Sequence, residues 1–547
     1  MNAIDPVTLA IMWDRLITIV NEMATTLIRT SFSAIVRESL DLSVVLFDAE
    51  GDALTQSRMG APGHSGSATN TLRYVLSYHA RETMRPGDVF ITNDPWHGTG
   101  HIFDMNFIRP VFLRERLVGF TYTDTHLPDI GGGGWSATGA DMYAEGLHLP
   151  PVRLINAGTP NQELLNIIRT NVRINEQVVG DLMANVTANE VGGRLLTGFM
   201  EEYGLDSLRP ISQIITRNSE QKMREEIEKI PNGVYPHETL VDGWERPIRL
   251  CVEVTVRGDE VHIDFAGTDP VVNTGINVPL CYTRAMSIHA IRLVTVPEIP
   301  PNEGTTKPMS ISAPENCILN ALPPAATGGR HIVGHFPTPM IFHALAPVIP
   351  DRIQADSGML NSVSFQGRDA AGRELGAMYF TSGGYGAMAG MDGISTLPSP
   401  ANMRVTPTEV WENLTGIQVE SRRLLPDSGG AGEFRGGLGQ EIVLRNTTGH
   451  PIRLSFFGRQ TDFPPSGMMG GRPGSPLQYL IDGKLVPATG RADLPAGSRL
   501  TIRKPGGGGY GDPAKRERAQ LLEDVQDGFV TAEGASRDYR VDVGQAR

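Results

Sequence analysis

Two histidine–aspartate pairs of identical spacing are the residues of this sequence best suited to chemistry. In NDPWHGTGHIFD the pair is His101 and Asp104, and in TDTHLPDIGGGG it is His126 and Asp129, in a chain that has only 13 histidines. Imidazole nitrogen and carboxylate oxygen together suit Zn²⁺, Mn²⁺ or Fe²⁺, whereas an all-carboxylate shell would favour Ca²⁺ or Mg²⁺. The repeated H-x-x-D spacing therefore predicts a mononuclear or dinuclear metal site.

Both the ligand set and the metal interpretation have alternatives. Asp94, His97 and Asp124 lie in the same two regions of the chain and offer the same kinds of ligand atom. In an ordinary structural interpretation, each aspartate caps a turn or a helix start and each histidine fills a strand edge. Spacing alone leaves both interpretations open.

Two further residues are candidates for acid–base chemistry. Asp41 is an acidic residue in the otherwise apolar stretch LDLSVV. If it is buried, it needs a partner or takes a raised pKa, and it could then act as a general base. A salt bridge to Arg37 is the structural alternative. His64 lies among small residues in GAPGHSGS, where a histidine is either structural or catalytic.

The elements around the motifs are predicted from hydrophobic periodicity and turn residues. Apolar residues recur at three- and four-residue steps after the N-cap Asp5 and Pro6, which predicts a helix over 5–29. The next predicted elements are a hairpin over 41–56, a helix over 67–84, a strand over 88–94 and two strands over 106–124. Glycine and proline disfavour a helix at either motif. We therefore expect each pair near a strand end, where adjacent strands would bring the two pairs together.

The rest of the chain predicts an α+β, multidomain protein. An N-terminal mixed α/β metal-binding region over 1–230 ends in a helical stretch, with a break expected at Gly192-Gly193 or at Gly204. A β-rich mixed domain over 231–503 contains a hairpin over 248–265 and a helix near 281–295. A glycine-rich turn and a short charged helical tail occupy 504–547.

Composition excludes several classes of protein. The net charge of −13 argues against a nucleic-acid or anionic-membrane partner, because both require a basic face. Three cysteines without C-x-x-C spacing fit a reducing cytoplasm better than a disulfide framework. The N-terminus does not resemble a signal peptide, and no apolar run reaches the roughly 18–20 residues of a membrane helix. A soluble cytoplasmic protein is expected.

Other catalytic motifs are absent or incomplete. PGGGGYGDP at 505–513 matches G-x-G-x-x-G, but too little chain follows it for a dinucleotide-binding unit, so a tight glycine turn is predicted. The sequence has no Walker-type G-x-x-x-x-G-K-[ST] and no G-x-S-x-G nucleophile elbow. Metal and general-base chemistry remain the most plausible means of catalysis.

Many stretches in order along the chain resemble the hydantoinase B family. This family includes the B subunits of ATP-dependent N-methylhydantoinases and lactamases, the matching half of oxoprolinases, and a subunit of acetone and acetophenone carboxylases. The stretches are RESLDLSVVLFDAEG, PGHSGS, GDVFITNDPWHGTGHIFD, HLPDIGG, EGLHLPP, DFAGTDP, NVPLCYTRA, LNALPPAA, DSGGAGEFRGGLG and PGGGGYGDP.

The resemblance implies a function, a site and a partner. It implies a subunit that hydrolyses a cyclic amide (hydantoin, 5-oxoproline or lactam), with ATP bound by a hydantoinase A-type subunit that phosphorylates the substrate. A hetero-oligomer of α₂β₂ or larger stoichiometry is expected. The resemblance implies that His101, Asp104, His126 and Asp129 bind a Zn, Mn or Fe ion. It also implies that Asp41, near His64, is the acid–base residue. A subunit of an ATP-dependent ketone carboxylase and a non-catalytic scaffold are the alternatives.

The sequence also departs from the family pattern. The first pair is HIFD where HLPD is common, and TGGRHIVGH stands where relatives usually have Gly-Asn. His331 and His335 are therefore expected to line a different substrate pocket. The chain is shorter than the carboxylase subunits, which favours a hydrolase over a carboxylase.

Overall fold

The protein combines helices with four separate β-sheets. The structure is a computed structural model that describes residues 5–542. This arrangement confirms the mixed α and β composition predicted from the sequence. None of the helices in that range is long and apolar enough to cross a membrane.

The helices span most of the N-terminal half and recur near the C-terminus. They are α1 (Pro6–Thr30), α2 (Ala34–Arg37), α3 (Pro62–Ser65), α4 (Ala68–Tyr78), α5 (Met142–Glu145), α6 (Gln162–Asn171), α7 (Asn175–Glu202), α8 (Arg209–Ile227), α9 (Leu280–Thr295), α10 (His331–Gly334), α11 (Pro337–Leu345), α12 (Thr408–Thr415), α13 (Arg518–Gln526) and α14 (Ala532–Tyr539).

The strands are distributed along the whole chain. They are β1 (Leu42–Asp48), β2 (Ala53–Gln56), β3 (Val89–Thr92), β4 (Asp104–Leu113), β5 (Arg116–His126), β6 (Val152–Asn156), β7 (Thr159–Pro160), β8 (Gly233–Val241), β9 (Ile248–Arg257), β10 (Glu260–Asp264), β11 (Met309–Ser312), β12 (Leu360–Arg368), β13 (Glu374–Ser382), β14 (Ile417–Leu424), β15 (Gln440–Asn446), β16 (Ile452–Phe457), β17 (Gln478–Ile481), β18 (Lys484–Val486), β19 (Thr489–Leu494) and β20 (Arg499–Arg503).

The first sheet positions both H-x-x-D motifs. Its strand order is β2-β1-β5-β4-β3-β6-β7, and all neighbouring strands are antiparallel. The predicted hairpin is present as β1 and β2, and the two predicted strands are β4 and β5. Asp104 at the start of β4 pairs in register with His126 at the end of β5. The antiparallel register therefore brings one residue of each motif face to face.

Helices α1 and α7 cover this sheet. Asp5 caps α1 through its Oδ1, which accepts hydrogen bonds from the backbone N–H groups of Val7 and Thr8. Of the two breaks considered for this helical stretch, the one at Gly204 is present and the one at Gly192-Gly193 is not, because α7 continues through both of those glycines to Glu202. A Cβ added at Gly192 would lie 2.2 Å from the sulfur of Met23 in α1. The glycine thus permits close helix packing.

Buried asparagines connect α7 to β5. The side-chain amides of Asn185 and Asn189 donate to the hydroxyls of Thr125 and Thr123 at 2.9 and 2.7 Å. Both asparagines are fully buried, so these bonds satisfy polar groups that would otherwise be costly in the core. The end of β5 that carries His126 is therefore held by side chains as well as by the sheet ladder.

Three further sheets follow. They are β11-β10-β9-β8, which contains the parallel pair β10 and β11, then β13-β12-β16-β19, and β14-β15-β20-β17-β18. The largest group of mutually packed buried residues includes members on both sides of residue 230. The core is thus continuous across the boundary predicted there. The single predicted C-terminal helix is two short helices, α13 and α14.

The glycine-rich segments of the second half pack against one another as extended chains. Gly507 donates its backbone N–H to Gly437 O at 2.9 Å, and its own carbonyl accepts from Gly430 N at 2.8 Å. A Cβ added at Gly507 would lie 2.1 Å from the carbonyl oxygen of Tyr385. The prediction of a tight turn over 505–513 is therefore wrong. Glycine is required because neighbouring backbones approach too closely for any side chain.

This packing predicts opposite effects for two glycine-to-alanine changes. At Gly506 an added Cβ would lie 1.9 Å from Ser428 O, so Gly506→Ala is expected to cost about 3 kcal/mol or more, or to prevent folding. At Gly198, inside α7, a Cβ meets nothing within 4 Å, so Gly198→Ala is expected to stabilise by about 0.5–1 kcal/mol. Chemical denaturation of both variants would measure this, and equal effects would contradict the packing argument.

Candidate metal centre

Three buried side chains converge where β4 begins and β5 ends. His101 lies in the loop before β4, Asp104 is the first residue of β4, and His126 is the last residue of β5. Each offers one ligand atom, and these atoms all lie within 4.8 Å of one another. It is the one group of metal-binding type found within residues 5–542.

One contact inside this group is between two atoms that both accept hydrogen bonds. His101 Nδ1 lies 3.2 Å from the carbonyl oxygen of Gly328, which can only accept, so Nδ1 carries the ring proton. His101 Nε2 then presents a lone pair to Asp104 Oδ1 at 2.9 Å, and neither atom has a hydrogen-bond partner among the described residues. His126 Nδ1 approaches the same oxygen at 3.0 Å. A cation between His101 Nε2 and Asp104 Oδ1 would satisfy both of these buried lone pairs.

The electrostatics of the group suit a divalent metal ion. Burial and the neighbouring Arg330 guanidinium lower the pKa of His101 to about 3, so its imidazole is neutral. Burial opposes ionisation of Asp104, but the charge of His64 helps to hold the pKa of this carboxyl well below its usual range. Neutral imidazole and ionised carboxylate are the protonation states that bind metal. The residues therefore fit the Zn, Mn or Fe ion expected from the sequence.

The second oxygen of Asp104 is saturated by two residues that sequence analysis did not select. Asp104 Oδ2 accepts from Thr99 Oγ1 at 2.5 Å and from an Arg330 terminal nitrogen at 2.9 Å. Arg330 also donates to the Thr99 carbonyl at 3.0 Å, and its guanidinium lies over the ring of Tyr282. The signal for Arg330 was present in TGGRHIVGH, where a lone arginine among small and apolar residues indicates a buried charge with a partner.

Asp41 and His64 stand beside this group. His64 Nδ1 lies 2.6 Å from Asp124 Oδ1, and the Ser43 hydroxyl donates to the other oxygen of Asp124. The opposite ring nitrogen, Nε2, lies 3.3 Å from Asp104 Oδ2 and 3.5 Å from Asp41 Oδ1. Asp124 therefore orients His64, and His64 bridges Asp41 to the candidate metal ligands.

The pKa shifts of Asp41 and His64 have opposite physical origins. Burial raises the pKa of Asp41, although His64 and His126 oppose the shift. Burial alone would lower the pKa of His64, but the carboxylates of Asp104, Asp124 and Asp41 raise it to about 9. Arg37, the partner considered for Asp41 from the sequence, lies instead 3.5 Å from Glu38. Asp41 is thus paired with the histidines of the site, His64 and His126, and not with Arg37.

A cavity of about 40 Å³ adjoins these residues. Its polar wall contains the acid–base and histidine side chains, and its other walls are mostly apolar. Among its lining residues are Asp41, His64, His126, Arg330, His331, His335, Tyr282, Ser362, Trp135, Met286, Leu360, Phe380 and Met403. His331 and His335, expected to line a substrate pocket, thus share this cavity with Asp41.

This site belongs to a chain with clear relatives. The family model described as Hydantoinase B/oxoprolinase matches residues 5–513. The chain is a member of this family. Caprolactamase subunit beta of Pseudomonas jessenii is 31% identical, over 99% of this chain and 97% of its own. The crystal structure of the ATP-dependent caprolactamase from P. jessenii superposes with a TM-score of 0.91 at 28% identity, covering 100% of this chain and 97% of that one.

A second solved structure, nucleotide-free acetone carboxylase, shares the fold. Its TM-score is also 0.91, at 19% identity, and the match covers 99% of this chain and 80% of that chain. At this level of identity the similarity concerns the fold alone. The hydantoinase B fold therefore occurs in proteins named for different reactions.

Asp129, the fourth ligand expected in this hydantoinase B member, lies elsewhere. Its carboxylate accepts from the Arg173 guanidinium at 2.7 Å and from Gly131 N at 3.2 Å. It lines a different cavity, of about 370 Å³. The H-x-x-D spacing is therefore shared by the two motifs, while the side-chain contacts of the two aspartates differ.

Asp94 and His97, the alternative ligands considered from the sequence, form a separate cluster. Asp94 Oδ1 lies 2.9 Å from His97 Nδ1, and Asp94 Oδ2 lies 3.2 Å from His148 Nε2. His97 is stacked on the ring of Tyr74. These carboxylate oxygens already have hydrogen-bond partners, in contrast to Asp104 Oδ1, and the cluster has no unsatisfied acceptor that calls for a cation.

The geometry predicts which substitutions remove the metal. His101→Ala and His126→Ala are expected to lose the roughly one ion per chain that the purified wild type holds, because each deletes one of three ligands. Asp129→Asn is expected to retain the ion and serves as the matched control. Elemental analysis of the purified proteins measures this directly. Metal retained by His101→Ala and lost from Asp129→Asn would contradict the assigned ligand set.

Proposed function

We propose that this chain is the B subunit of an ATP-dependent cyclic-amide hydrolase, which opens a hydantoin, 5-oxoproline or lactam ring after a partner subunit has phosphorylated the substrate. The observation that carries the proposal is the buried contact between His101 Nε2 and Asp104 Oδ1, next to the unpartnered Asp41 Oδ1. Membership of the hydantoinase B family and the likeness to ATP-dependent caprolactamase support the reaction class.

The chemistry explains why ATP is needed. An amide carbonyl is a poor electrophile, and phosphorylation of its oxygen provides a leaving group. Water adds to the phosphorylated carbon, and the ring C–N bond breaks as the nitrogen takes up a proton, which leaves an acyl phosphate. A second water then hydrolyses the acyl phosphate to a carboxylate and inorganic phosphate. Over the net reaction the two water molecules consumed end in the new carboxylate and in inorganic phosphate. Such a centre must supply a base, an acid and a stabiliser of negative charge.

Asp41 and His64 are suited to the two proton transfers. Asp41 Oδ1 is buried and lacks a hydrogen-bond partner among the described residues, so it is available to accept a proton from the attacking water. His64 is held by Asp124 with Nε2 directed toward Asp41 and Asp104. We assign it the proton that the departing ring nitrogen receives, delivered from Nε2.

His101, Asp104 and His126 would hold the metal ion. When bound, a divalent ion supplies Lewis-acid chemistry, which stabilises negative charge developing on a substrate oxygen. Arg330 and Thr99 occupy Asp104 Oδ2, so that only Oδ1 remains for the ion. The Gly328 carbonyl fixes the His101 tautomer that leaves Nε2 unprotonated.

The proposal includes a partner subunit. The sequence lacks a Walker-type phosphate loop, and the caprolactamase relative is named as one subunit of an enzyme. We assign ATP binding to a hydantoinase A-type subunit in a hetero-oligomer of α₂β₂ or larger stoichiometry, located in the cytoplasm. A ketone carboxylase is the second candidate function, because acetone carboxylase has the same fold.

Reconstitution with an A-type subunit tests the function. We expect ATP-dependent ring opening of at least one cyclic amide, with product formation independent of bicarbonate. Asp41→Asn is expected to lower kcat by about 10²–10⁴-fold at unchanged metal content, because the general base is lost. Asp129→Asn is the control and should keep most of the activity. Bicarbonate-dependent product formation from a ketone would favour the carboxylase, and full activity of Asp41→Asn would contradict the assigned base.

A further inference from the structure

A second, larger cavity lies outside the buried centre. It is a groove of about 610 Å³ between α4, the first turns of α9 and the segment 297–303. Four arginines line it, namely Arg58, Arg73, Arg284 and Arg292, whereas Glu298 and Glu303 are its only acidic lining residues. We call it the arginine groove. This excess of positive charge is notable in a chain with a net charge of −13.

Two of these arginine side chains have no partner in the part of the chain that the structure describes. Arg73 lies 3.2 Å from Glu303, and Arg292 donates to the Ile299 carbonyl at 2.7 Å. Arg58 and Arg284 are exposed, and the side chain of neither makes an ion pair or hydrogen bond within residues 5–542. Unpaired guanidinium groups that line one groove are suited to bind a planar or tetrahedral oxyanion.

We call the cavity of about 40 Å³ beside Asp41 and His64 the catalytic cavity. The wall between it and the arginine groove is one chain thick. In one segment Gly60 and Pro62 line the groove, while the intervening Ala61 and Gly63, and His64 after them, line the catalytic cavity. In another, Asn402 lines the groove and its neighbour Met403 lines the cavity. The Asn402 side chain joins the two segments by donating to Gly60 O at 3.1 Å. The groove thus lies directly outside the acid–base residues.

From this arrangement we infer that the arginine groove is the entry site for the phosphorylated substrate, and that Arg58 and Arg284 bind its phosphate group. The inference rests on the proposed function, because it takes the ligand to be a small phosphorylated molecule bound for the buried centre. Phosphate is recognised by guanidinium through paired, charge-assisted hydrogen bonds. The groove has room for a small cyclic molecule beside its phosphate, which the catalytic cavity lacks.

Calorimetric titration of the purified chain with inorganic phosphate tests the site. Wild type is expected to bind saturably, and the double variant Arg58→Ala/Arg284→Ala to bind at least about tenfold more weakly, since two charge-assisted contacts are lost. The double variant Arg116→Ala/Arg194→Ala removes the same charge at exposed, unpaired arginines outside the groove, and it should bind as wild type. Equal affinity of all three proteins, or no saturable binding by wild type, would overturn the assignment.

Two further measurements distinguish an error in the phosphate site assigned to the groove from an error in the proposed function. His101→Ala/His126→Ala is expected to bind phosphate as wild type does, because the groove does not include the metal ligands. In the reconstituted enzyme, Arg58→Ala/Arg284→Ala should raise KM by about tenfold or more with kcat largely kept. Phosphate binding lost only in the metal-ligand variant would place the anion at the buried centre and refute the groove.

An independent observation concerns Glu145, the last residue of α5. Its side chain is buried, and Oε1 accepts hydrogen bonds from Thr327 N at 2.9 Å and Gly328 N at 2.6 Å. The carbonyl of the same Gly328 faces His101 Nδ1 at 3.2 Å and accepts from the Trp135 indole at 2.8 Å. A continuous chain of contacts therefore links Glu145 to a candidate metal ligand.

We propose that Glu145 is a positioning residue for the metal centre. It holds the 327–328 turn at the place where the Gly328 carbonyl selects the tautomer and orientation of His101. Groups that orient a ligand histidine in this way tune metal affinity without touching the metal. This second inference also rests on the proposed function, through its metal centre, but it does not depend on the arginine groove.

Competition with a chelator measures the metal affinity that tests this role. Glu145→Ala, and Glu145→Asp with its shorter reach, are expected to bind metal at least about tenfold more weakly than wild type. Glu145→Gln keeps an acceptor oxygen and should restore the affinity. Asp88→Ala is the matched control, because buried Asp88 also holds two backbone amides, those of Arg85 and Ala157, away from the centre. Asp88→Ala should therefore leave the affinity unchanged.

The outcomes separate this role from the metal centre itself. Wild-type affinity in Glu145→Asp, or an equal loss in Asp88→Ala, would overturn the positioning role while the metal centre stands. Wild type without bound metal would refute the metal centre and, with it, the role of Glu145. Thermal unfolding of each variant reports whether a lower affinity accompanies an intact fold.

Discussion

The contact on which the rest of the site depends is that between His101 Nε2 and Asp104 Oδ1, two buried acceptors 2.9 Å apart. In water each atom would be hydrogen-bonded, and burial without a partner costs a few kcal/mol. The fold imposes this cost through two independent constraints. The β4–β5 register places Asp104 opposite His126, and the Gly328 carbonyl turns the lone pair of His101 inward. A cation between the acceptors turns this costly contact into a favourable one.

Charge balance in the surrounding core also favours a bound cation. Asp41, Asp104 and Asp124 are buried carboxyls, and the facing cations are Arg330 and the protonated form of His64. With all three carboxyls ionised, the cluster has an excess of negative charge. A divalent ion would offset this excess and would also favour the ionised form of Asp41, whose pKa burial raises. The acid–base residues and the ligands therefore form one electrostatic unit.

Local sequence patterns predicted the strands that present the site but only part of the site itself. Alternating apolar residues located β4 and β5, so the placement of Asp104 and His126 at strand ends followed from the sequence. Asp129 has the same spacing, yet the glycines after it adopt positive φ and its carboxylate binds Arg173. Residues that arrive from distant segments, such as Arg330, leave no periodic signal near the motif. The glycines around 505–511 suggested a turn because a single segment does not reveal which backbones will pack against it.

The size of the catalytic cavity sets the relation between this centre and the arginine groove. Its volume of about 40 Å³ is far below the volume of the arginine groove, about 610 Å³. The wall between the two includes Gly60 and Asn402, which are joined by a side-chain hydrogen bond and not by a sheet ladder. Opening such a wall costs far less than separating β4 from β5. The fold thus keeps the ligands rigid and places the adaptable boundary on the side where the unpaired arginines lie.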